Sequence, residues 1–194
     1  MVKLGGSLLN LDNLVDRLIA VVGELELPVV IVGGGPTADL VRHWDEHGLL
    51  RPSEAHQIAV AAMAFNGLQL AQADGRLSFA GSQSEAVDAA ARGRIPVLDI
   101  MRVTSREQKA GCRSLVIPES WDVTSDSIAA WLAVAWHADL WLLKSVSPGT
   151  APATHVDDWF AEASRTLLGL TWINLRDSEP VAVHLTLPLA AEAT

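Results

Sequence analysis

Short apolar runs alternate with longer segments of helical period along this chain. The short runs have the length and the bounding turn residues of β-strands, whereas the longer segments repeat apolar residues three or four positions apart. Such alternation is typical of layered α/β proteins with a mainly parallel sheet. Because the chain has 194 residues and no repeat or long linker, we expect one domain over residues 1–194.

The same pattern gives the positions of the predicted elements. Strands are predicted at residues 2–4, 28–32, 77–80, 95–98, 115–117, 140–143, 171–175 and 181–185. Helices are predicted at residues 11–25, 36–47, 52–73, 82–92, 125–138 and 156–167. The last two strands are separated by Arg-Asp-Ser-Glu-Pro, which predicts a hairpin at the edge of the sheet.

Composition and charge narrow the classes of partner. Hydrophobic residues make up 49% of the chain and charged residues 19%, as in globular proteins. The net charge of −9 argues against nucleic acid or an anionic membrane surface as partner, since both need a basic face. The most apolar stretch, residues 128–143, is too short to span a bilayer. With no signal-peptide pattern and a single cysteine, Cys112, we expect a cytoplasmic protein without an internal disulfide.

The first predicted strand leads into Lys3-Leu4-Gly5-Gly6-Ser7. Adjacent glycines let backbone N–H groups approach a phosphate, and Lys3 adds a positive charge beside them. A tight turn between strand and helix explains the glycine pair equally well. Only two residues precede Lys3, so this strand is very short or the natural chain begins upstream.

The second predicted strand leads into Gly33-Gly34-Gly35-Pro36. Pro36 suits the first turn of a helix, and a helix N-terminus after glycines is an anion site. The spacing Gly33-x-Gly35-x-x-Ala38 also fits a loose dinucleotide fingerprint, which is a weak signal alone. An oxidoreductase of the Rossmann type therefore stays an alternative, although it leaves the Lys3 loop unexplained.

Charged residues follow the second glycine loop. Asp39 and Arg42 are three residues apart and share one face of the predicted helix. A solvated ion pair within the helix explains them without any function. The functional alternative is that Arg42 binds an anionic acceptor while Asp39 holds the acceptor or contacts an amine.

Two carboxylates, Asp122 and Asp126, flank the start of the helix predicted at 125–138. Thr124 or Ser125 can cap that helix, and Asp126 suits the positive end of its dipole. Capping thus explains the motif without function. The alternative is that the carboxylates organise lysines and Mg²⁺ around a nucleotide.

Lys144 follows the strand predicted at 140–143, and ligand sites of parallel sheets gather where strands end. A lysine there is often only a solvated strand end. The chain has only three lysines, Lys3, Lys109 and Lys144, and two of them lie in the motifs described here. That order of motifs favours a site position for Lys144.

Taken together, these motifs resemble the amino acid kinase superfamily, which includes acetylglutamate, aspartate, uridylate, carbamate and isopentenyl phosphate kinases. The matching motifs, in order, are Lys3-x-Gly5-Gly6-Ser7, Gly33-Gly34-Gly35, Asp122-x-Thr124-x-Asp126 and Leu142-Leu143. The resemblance implies a three-layer αβα sandwich, transfer of the γ-phosphoryl group of ATP to a small acidic acceptor, a role for Mg²⁺ and a homodimer.

The resemblance also implies roles for single residues. Lys3 would bridge the β- and γ-phosphates, assisted by the N–H groups of Gly5, Gly6 and Ser7. Gly33, Gly34 and Gly35 would hold the acceptor and the phosphoryl group in flight. Asp126 would orient Lys3, and Asp122 or Thr124 would line the acceptor or Mg²⁺ side. It assigns no direct protein ligand to the metal.

Two segments look like the short branch of the superfamily that contains the aminomethylfuran-phosphate kinase of methanofuran biosynthesis, with bacterial relatives in one-carbon metabolism. These segments are residues 121–131 and Gly35-x-x-Ala38-Asp39-x-Val41-Arg42. In that version the acceptor already carries a phosphate, which Arg42 would contact with help from His56. A plain residue at the start of its helix explains His56 equally well. The product would be a diphosphate.

The chain also departs from the family pattern. Longer members carry a second catalytic lysine in a glycine-rich segment after the aspartate motif, and this chain has no such segment. Where they read Thr-Asp-Val-Asp-Gly after the Leu-Leu pair, this chain reads Lys144-Ser145-Val146-Ser147-Pro148. We expect Lys144 to supply the missing cation. A catalytically inactive binding or regulatory subunit with the same fold is the alternative.

Overall fold

The computed structural model describes residues 1–110, 115–187 and 189, and in them one sheet of seven strands forms the centre of the fold. The strands are β1 (Val2–Leu4), β2 (Val30–Val32), β3 (Leu77–Ala80), β4 (Ile95–Leu98), β5 (Leu140–Lys144), β6 (Leu170–Asn174) and β7 (Val183–Leu185). Their order across the sheet is β3-β4-β2-β1-β5-β6-β7. All neighbours are parallel except β7, which pairs antiparallel with β6 at one edge.

Helices cover the sheet and connect its strands. They are α1 (Leu14–Val22), α2 (Gly35–Glu46), α3 (Pro52–Ala73), α4 (Gln83–Ala91), α5 (Ile100–Lys109), α6 (Ser125–Ala135) and α7 (Phe160–Ala163). Short 3₁₀ turns lie at Gly6–Leu8 and Pro152–His155. The α/β class with a mainly parallel sheet, predicted from the alternation of apolar runs and helical segments, is confirmed.

Two apolar clusters form the core, one on each face of the sheet. Leu18 of α1 and Leu70 of α3 lie in the first cluster, with Val2 and Leu4 of β1. The second cluster contains most of α6, together with buried residues of α4, α5 and α7. Because successive side chains of a strand point to opposite faces, Lys3 between Val2 and Leu4 points toward the face that α6 covers.

Most predicted elements are confirmed. The strands at 2–4, 77–80 and 95–98 and the helix at 52–73 have the predicted bounds, and the hairpin at the edge is the β6–β7 pair. The helix predicted at 36–47 is α2, with Pro36 in its first turn as expected. The helix predicted at 11–25 shortens to α1 at Leu14–Val22.

The sequence pattern failed between β4 and α6. It left out α5, whose buried Ile100, Val103 and Thr104 form a narrow stripe beside exposed polar residues. The strand predicted at 115–117 is wrong, because the carbonyl of Leu115 accepts a hydrogen bond from Trp131 Nε1 at 2.8 Å instead of joining the sheet. Cys112 lies outside the described residues.

The helix predicted at 156–167 is mostly wrong, since only Phe160–Ala163 is helical. The residues that precede α7 instead form hydrogen bonds with α6 and with the segment just before α6. The carboxylate of Asp157 accepts hydrogen bonds from α6, and the N–H of Trp159 donates to the carbonyl of Asp122 at 3.2 Å. These contacts with a distant segment replace the first turns of the predicted helix.

The strand order decides whether the Rossmann alternative holds. In dinucleotide-binding sheets the second and third strands are neighbours. Here β4 lies between β2 and β3, so the chain does not have the Rossmann topology.

In the described part of the chain, no helix has both the length and the apolar character needed to cross a membrane.

Candidate active site

Three central strands end at the same edge of the sheet. β1, β2 and β5 are parallel neighbours, with Leu4 aligned with Val32 on one side and with Leu143 on the other. The loops that follow them therefore meet at one place. Strands β2, β3 and β4 lie on one side of β1, and the chain then crosses back to place β5 on the other side of β1. Open α/β sheets bind ligands at such a switch in strand order.

The two glycine loops predicted from the sequence touch each other at this edge. A Cβ added to Gly6 would overlap the backbone nitrogen of Gly35, and one added to Gly33 would lie 2.7 Å from the nitrogen of Gly6. Gly35 has a φ of +51°, which favours glycine. Only glycine permits this backbone contact, so the loops form one surface.

That surface presents backbone N–H groups. Gly6 opens the 3₁₀ turn Gly6–Leu8, and Gly35 opens α2. The first N–H groups of a helix have no partner within it, and they lie at the positive end of its dipole. The paired loops therefore have the chemistry of a phosphate cradle.

Asn66 of α3 holds the second loop in place. It is only 2% exposed, and its Nδ2 donates to the carbonyls of Gly33 and Gly34 at 2.9 and 2.8 Å. Its Oδ1 accepts from Thr37 Oγ1 at 3.3 Å. Turning those carbonyls toward Asn66 fixes the orientation of the peptide units next to Gly35.

Lys3 and Lys144 point into the same space because of the strand register. Lys3 is aligned with Leu142 of β5, and Lys144 lies two residues further on, hence on the same face of the sheet. Both ammonium groups meet Asp126 in the first turn of α6. Lys3 Nζ is 2.7 Å from Oδ1, and Lys144 Nζ is 2.5 Å from Oδ2.

Burial and the neighbouring charges act in opposite directions on this cluster. Burial raises the free energy of the Asp126 carboxylate, but the charges of Lys3 and Lys144 outweigh burial, so the pKa of Asp126 lies below its ordinary value. Burial, followed by the charge of Lys3, lowers the pKa of Lys144, while Asp126 opposes that shift. Lys144 Nζ also lies 5.3 Å from the centre of the Trp172 ring, a cation–π contact.

A loop between β5 and α7 completes the cluster. The carbonyl of His155 accepts a hydrogen bond from Lys144 Nζ at 2.7 Å. Asp157 accepts from the backbone N–H groups of Thr124 and Ser127 and from both of their hydroxyls. The expectation that Thr124 or Ser125 caps α6 with its own side chain is wrong for Thr124, the capping residue, because its hydroxyl donates to Asp157 instead.

A cavity of about 210 Å³ opens beside the second glycine loop. Its lining includes Gly34, Gly35, Asp39, Arg42, His56 and Thr124. The Arg42 guanidinium lies over the Trp121 ring at 4.6 Å and is 3.5 Å from Asp39. Trp121 is held in turn by a hydrogen bond from its Nε1 to Asp45 Oδ2 at 2.6 Å. An aromatic ring thus holds a cation at the cavity wall.

Of the remaining predicted residues, Ser7 and Gly5 lie beside the end of β5, whereas Asp122 lies outside the cavity lining. Ser7 lies beside the end of β5, where its hydroxyl donates to Ser145 Oγ at 2.9 Å. Gly5 is tied to the same strand by a bond from its N–H to the carbonyl of Leu143 at 2.8 Å. Asp122 is exposed, and its carboxylate accepts from Ser120 Oγ at 2.9 Å. It is not among the residues lining the cavity.

Sequence reasoning missed Asn66 and Asp157. A signal existed for Asn66, since a lone amide in the apolar stretch 58–68 of a helix is a polar group that needs a buried partner. No signal existed for Asp157. Its partners lie 30 and 33 residues away along the chain, and only the fold brings them together.

Comparison with known proteins identifies the family. A model of the amino acid kinase family matches residues 1–148, and the chain therefore belongs to that family. The family assignment supports a small-molecule phosphotransferase. No curated protein sequence gives a significant match.

Two solved structures share the fold. Uridylate kinase from Archaeoglobus fulgidus superimposes with a TM-score of 0.60 at 18% identity, over 88% of each chain. UMP kinase from Bacillus anthracis superimposes with a TM-score of 0.56 at 12% identity, over 95% of this chain and 97% of its own. These similarities confirm the fold expected from the motifs.

The contact between the glycine loops predicts a large effect of one methyl group. Gly6→Ala should lower the free energy of unfolding by roughly 1–3 kcal/mol, because the new Cβ forces the two backbones apart. Gly75→Ala is the matched control, since a Cβ there has nothing within 4 Å. Urea unfolding of both variants measures the difference, and equal stability would show that the loops do not touch.

The buried ion cluster predicts that Asp126→Asn destabilises the protein by about 3–5 kcal/mol, because it leaves two lysines without a counter-charge. The exposed Asp122→Asn should change stability by less than about 0.5 kcal/mol. Since the pKa of Asp126 lies below its reference value of 3.8, the loss persists above that pH and shrinks as the pH falls through the folded pKa. Thermal unfolding at several pH values checks both points, and a loss independent of pH would contradict the ion-pair account.

Proposed function

We propose that this member of the amino acid kinase family transfers the γ-phosphoryl group of ATP to a small acidic or already phosphorylated acceptor. One observation carries the proposal. Lys3 and Lys144 share Asp126 at the sheet edge where the two glycine loops meet. Cations and free N–H groups around one space suit a triphosphate.

Charge explains why the cluster suits an anion. The whole chain carries a net charge of −9, so binding of a triphosphate requires a site that is locally positive. In direct contact, Asp126 is the one carboxylate shared by the two lysines, while Asp157 adds a second negative charge near Lys144. Nearby N–H groups of Gly6 and Gly35 add the positive ends of their dipoles. The site thus attracts phosphate without leaving two unpaired lysines inside the protein.

The reaction needs few specialised groups. An acceptor oxygen attacks the γ-phosphorus, the bond from that phosphorus to the β–γ bridging oxygen breaks, and ADP leaves with the electron pair. Lys3 stabilises charge on the β- and γ-phosphates, and Lys144 neutralises charge on the transferring group. If the attacking oxygen belongs to a phosphate, it carries no proton to remove. A site without a general base is then sufficient.

Mg²⁺ fits this site as a companion of the nucleotide. The described residues contain no group of three or more His, Cys, Asp or Glu side chains placed to hold a metal ion. Both oxygens of Asp126 face lysines. Mg²⁺ often keeps waters and binds through substrate phosphates, so we assign it no direct protein ligand. When bound, it would neutralise charge on the phosphates.

The cavity next to the second glycine loop is the proposed acceptor site. Arg42 offers a guanidinium to an acidic group, and Trp121 holds that guanidinium in place. Apolar residues such as Ala59, Val60 and Met63 line the rest. Aminomethylfuran phosphate, the acceptor of the branch that residues 121–131 resemble, is our specific proposal.

We also propose a homodimer formed through α3. Ile58, Phe65 and Leu68 are 37%, 59% and 39% exposed, and their spacing of seven and three residues places them on one helix face. The opposite face of α3, with Met63 and Leu70, is buried. A helix that is apolar on both faces is expected to be buried on both. We propose that a second copy of the chain buries the exposed face.

Phosphorus NMR tests the reaction. With ATP, Mg²⁺ and aminomethylfuran phosphate, we expect new diphosphate signals and ADP. Lys144→Met should lower the rate at least about tenfold, since it removes a charge-stabilising group. Lys109→Met is the control because Lys109 is exposed and distant in sequence from the motifs.

The outcomes separate the candidate functions. Unchanged turnover by Lys144→Met would contradict the role of Lys144. ATP binding without phosphoryl transfer to any acidic acceptor would favour an inactive binding or regulatory subunit, the alternative suggested by the altered segment after Leu143.

Light scattering tests the dimer. At micromolar concentration we expect twice the monomer mass, and Phe65→Glu should yield the monomer because it places a charge in an apolar contact. Val87→Glu, a change at another exposed apolar residue, should leave the dimer intact. A monomeric parent protein would contradict this proposal without affecting the proposed chemistry.

A further inference from the structure

The loop before α7 contacts the first turn of α6 through a single carboxylate. Asp157 accepts from Thr124 N at 3.1 Å, Thr124 Oγ1 at 2.7 Å and Ser127 N at 3.2 Å. The hydroxyl of Ser127 donates to its other oxygen. One half-buried side chain thus takes four hydrogen bonds from one helix turn.

Those partners bracket Asp126. Thr124 precedes it by two residues and Ser127 follows it directly, so their bonds to Asp157 fix the rotation of the turn that carries the Asp126 carboxylate. The rotation matters because both carboxylate oxygens must meet their lysines at 2.7 and 2.5 Å. Small errors in the placement of reacting groups are costly in rate.

The same loop also holds the second lysine. The carbonyl of His155 accepts from Lys144 Nζ at 2.7 Å, two residues before Asp157. The groups around Lys144 are Asp126 from α6, Lys3 from β1, the Trp172 ring from β6, and Asp157 with the His155 carbonyl from the loop. Asp157 raises the pKa of Lys144, against the larger lowering by burial and by Lys3.

We propose that Asp157 is a positioning residue for phosphoryl transfer, which aligns Asp126 and through it Lys3 and Lys144. It does not contact the reacting atoms itself. Its effect passes through the first turn of α6 and through the loop that carries the His155 carbonyl. This role rests on the proposed function.

The test compares Asp157→Asn with Asp158→Asn. The two residues are adjacent, and Asp158 is exposed. An amide at 157 keeps the size of the side chain but has one acceptor oxygen for the donors of Thr124 and Ser127. We expect kcat for ADP release with ATP, Mg²⁺ and aminomethylfuran phosphate to fall about tenfold to a hundredfold in Asp157→Asn. KM for ATP should change less than about threefold, because the phosphate loops are untouched, and Asp158→Asn should match the parent.

A second readout separates positioning from loss of structure. The chain has three lysines, so ¹⁵N labelling of lysine side chains gives three ammonium signals to follow by NMR. In Asp157→Asn the titration of Lys144 should move to lower pH, because a negative charge beside it is removed, while exposed Lys109 stays unchanged. A normal kcat, or a reduced kcat with an unchanged Lys144 titration, would overturn the proposal.

Ser127→Ala serves if Asp157→Asn does not fold. It removes one hydroxyl donor and no charge, and should lower kcat about threefold, as expected for one lost hydrogen bond. An unchanged kcat in Ser127→Ala would then overturn the positioning role. A parent protein that makes no product overturns the proposed function instead, and with it any role of Asp157 in phosphoryl transfer.

Discussion

One buried carboxylate, that of Asp126, pairs with the buried Lys3 and the half-buried Lys144, and the geometry of the site follows from this pairing. Taking charges out of water is expensive unless each one has a well-placed partner. Lys3 and Asp126 are 3% and 5% exposed, so strand register, helix position and loop contacts must agree closely. The register of β1 against β5 puts both lysines on one face, and the first turn of α6 delivers the carboxylate between them. Any shift of one element leaves a charge unpaired.

The glycine loops impose a second constraint on the same place. Their backbones lie too close for side chains at Gly6 and Gly33, and Asn66 orients the peptide units of the second loop. The protein thus offers a ligand its backbone N–H groups beside two lysine ammonium groups. This combination gives a chain of strongly negative net charge a site suited to phosphate groups at one edge of its sheet.

The features that could be predicted from the sequence are those encoded in short segments of the chain. Lys3, both glycine loops and Asp126 belong to short motifs with local physical reasons, and the alternation of apolar runs predicted the sheet that gathers them. Contacts between distant segments could not be predicted. Asp157 lies in a segment that reads as a helix, and its use as an acceptor for α6 prevents that helix. The helix α5 was missed because a narrow apolar stripe is hard to distinguish from a loop, and Leu115 bonds to a tryptophan that no local pattern indicates.

The most direct test of the central claim is equilibrium titration of the protein with ATP·Mg²⁺ and, separately, with NAD, followed through tryptophan fluorescence. Trp172 lies against Lys144 and Trp121 against Arg42, so either half of the site can report binding. We expect saturable binding of ATP·Mg²⁺ that Lys3→Met weakens strongly, and no saturable binding of NAD. Tight binding of NAD without binding of ATP would contradict it.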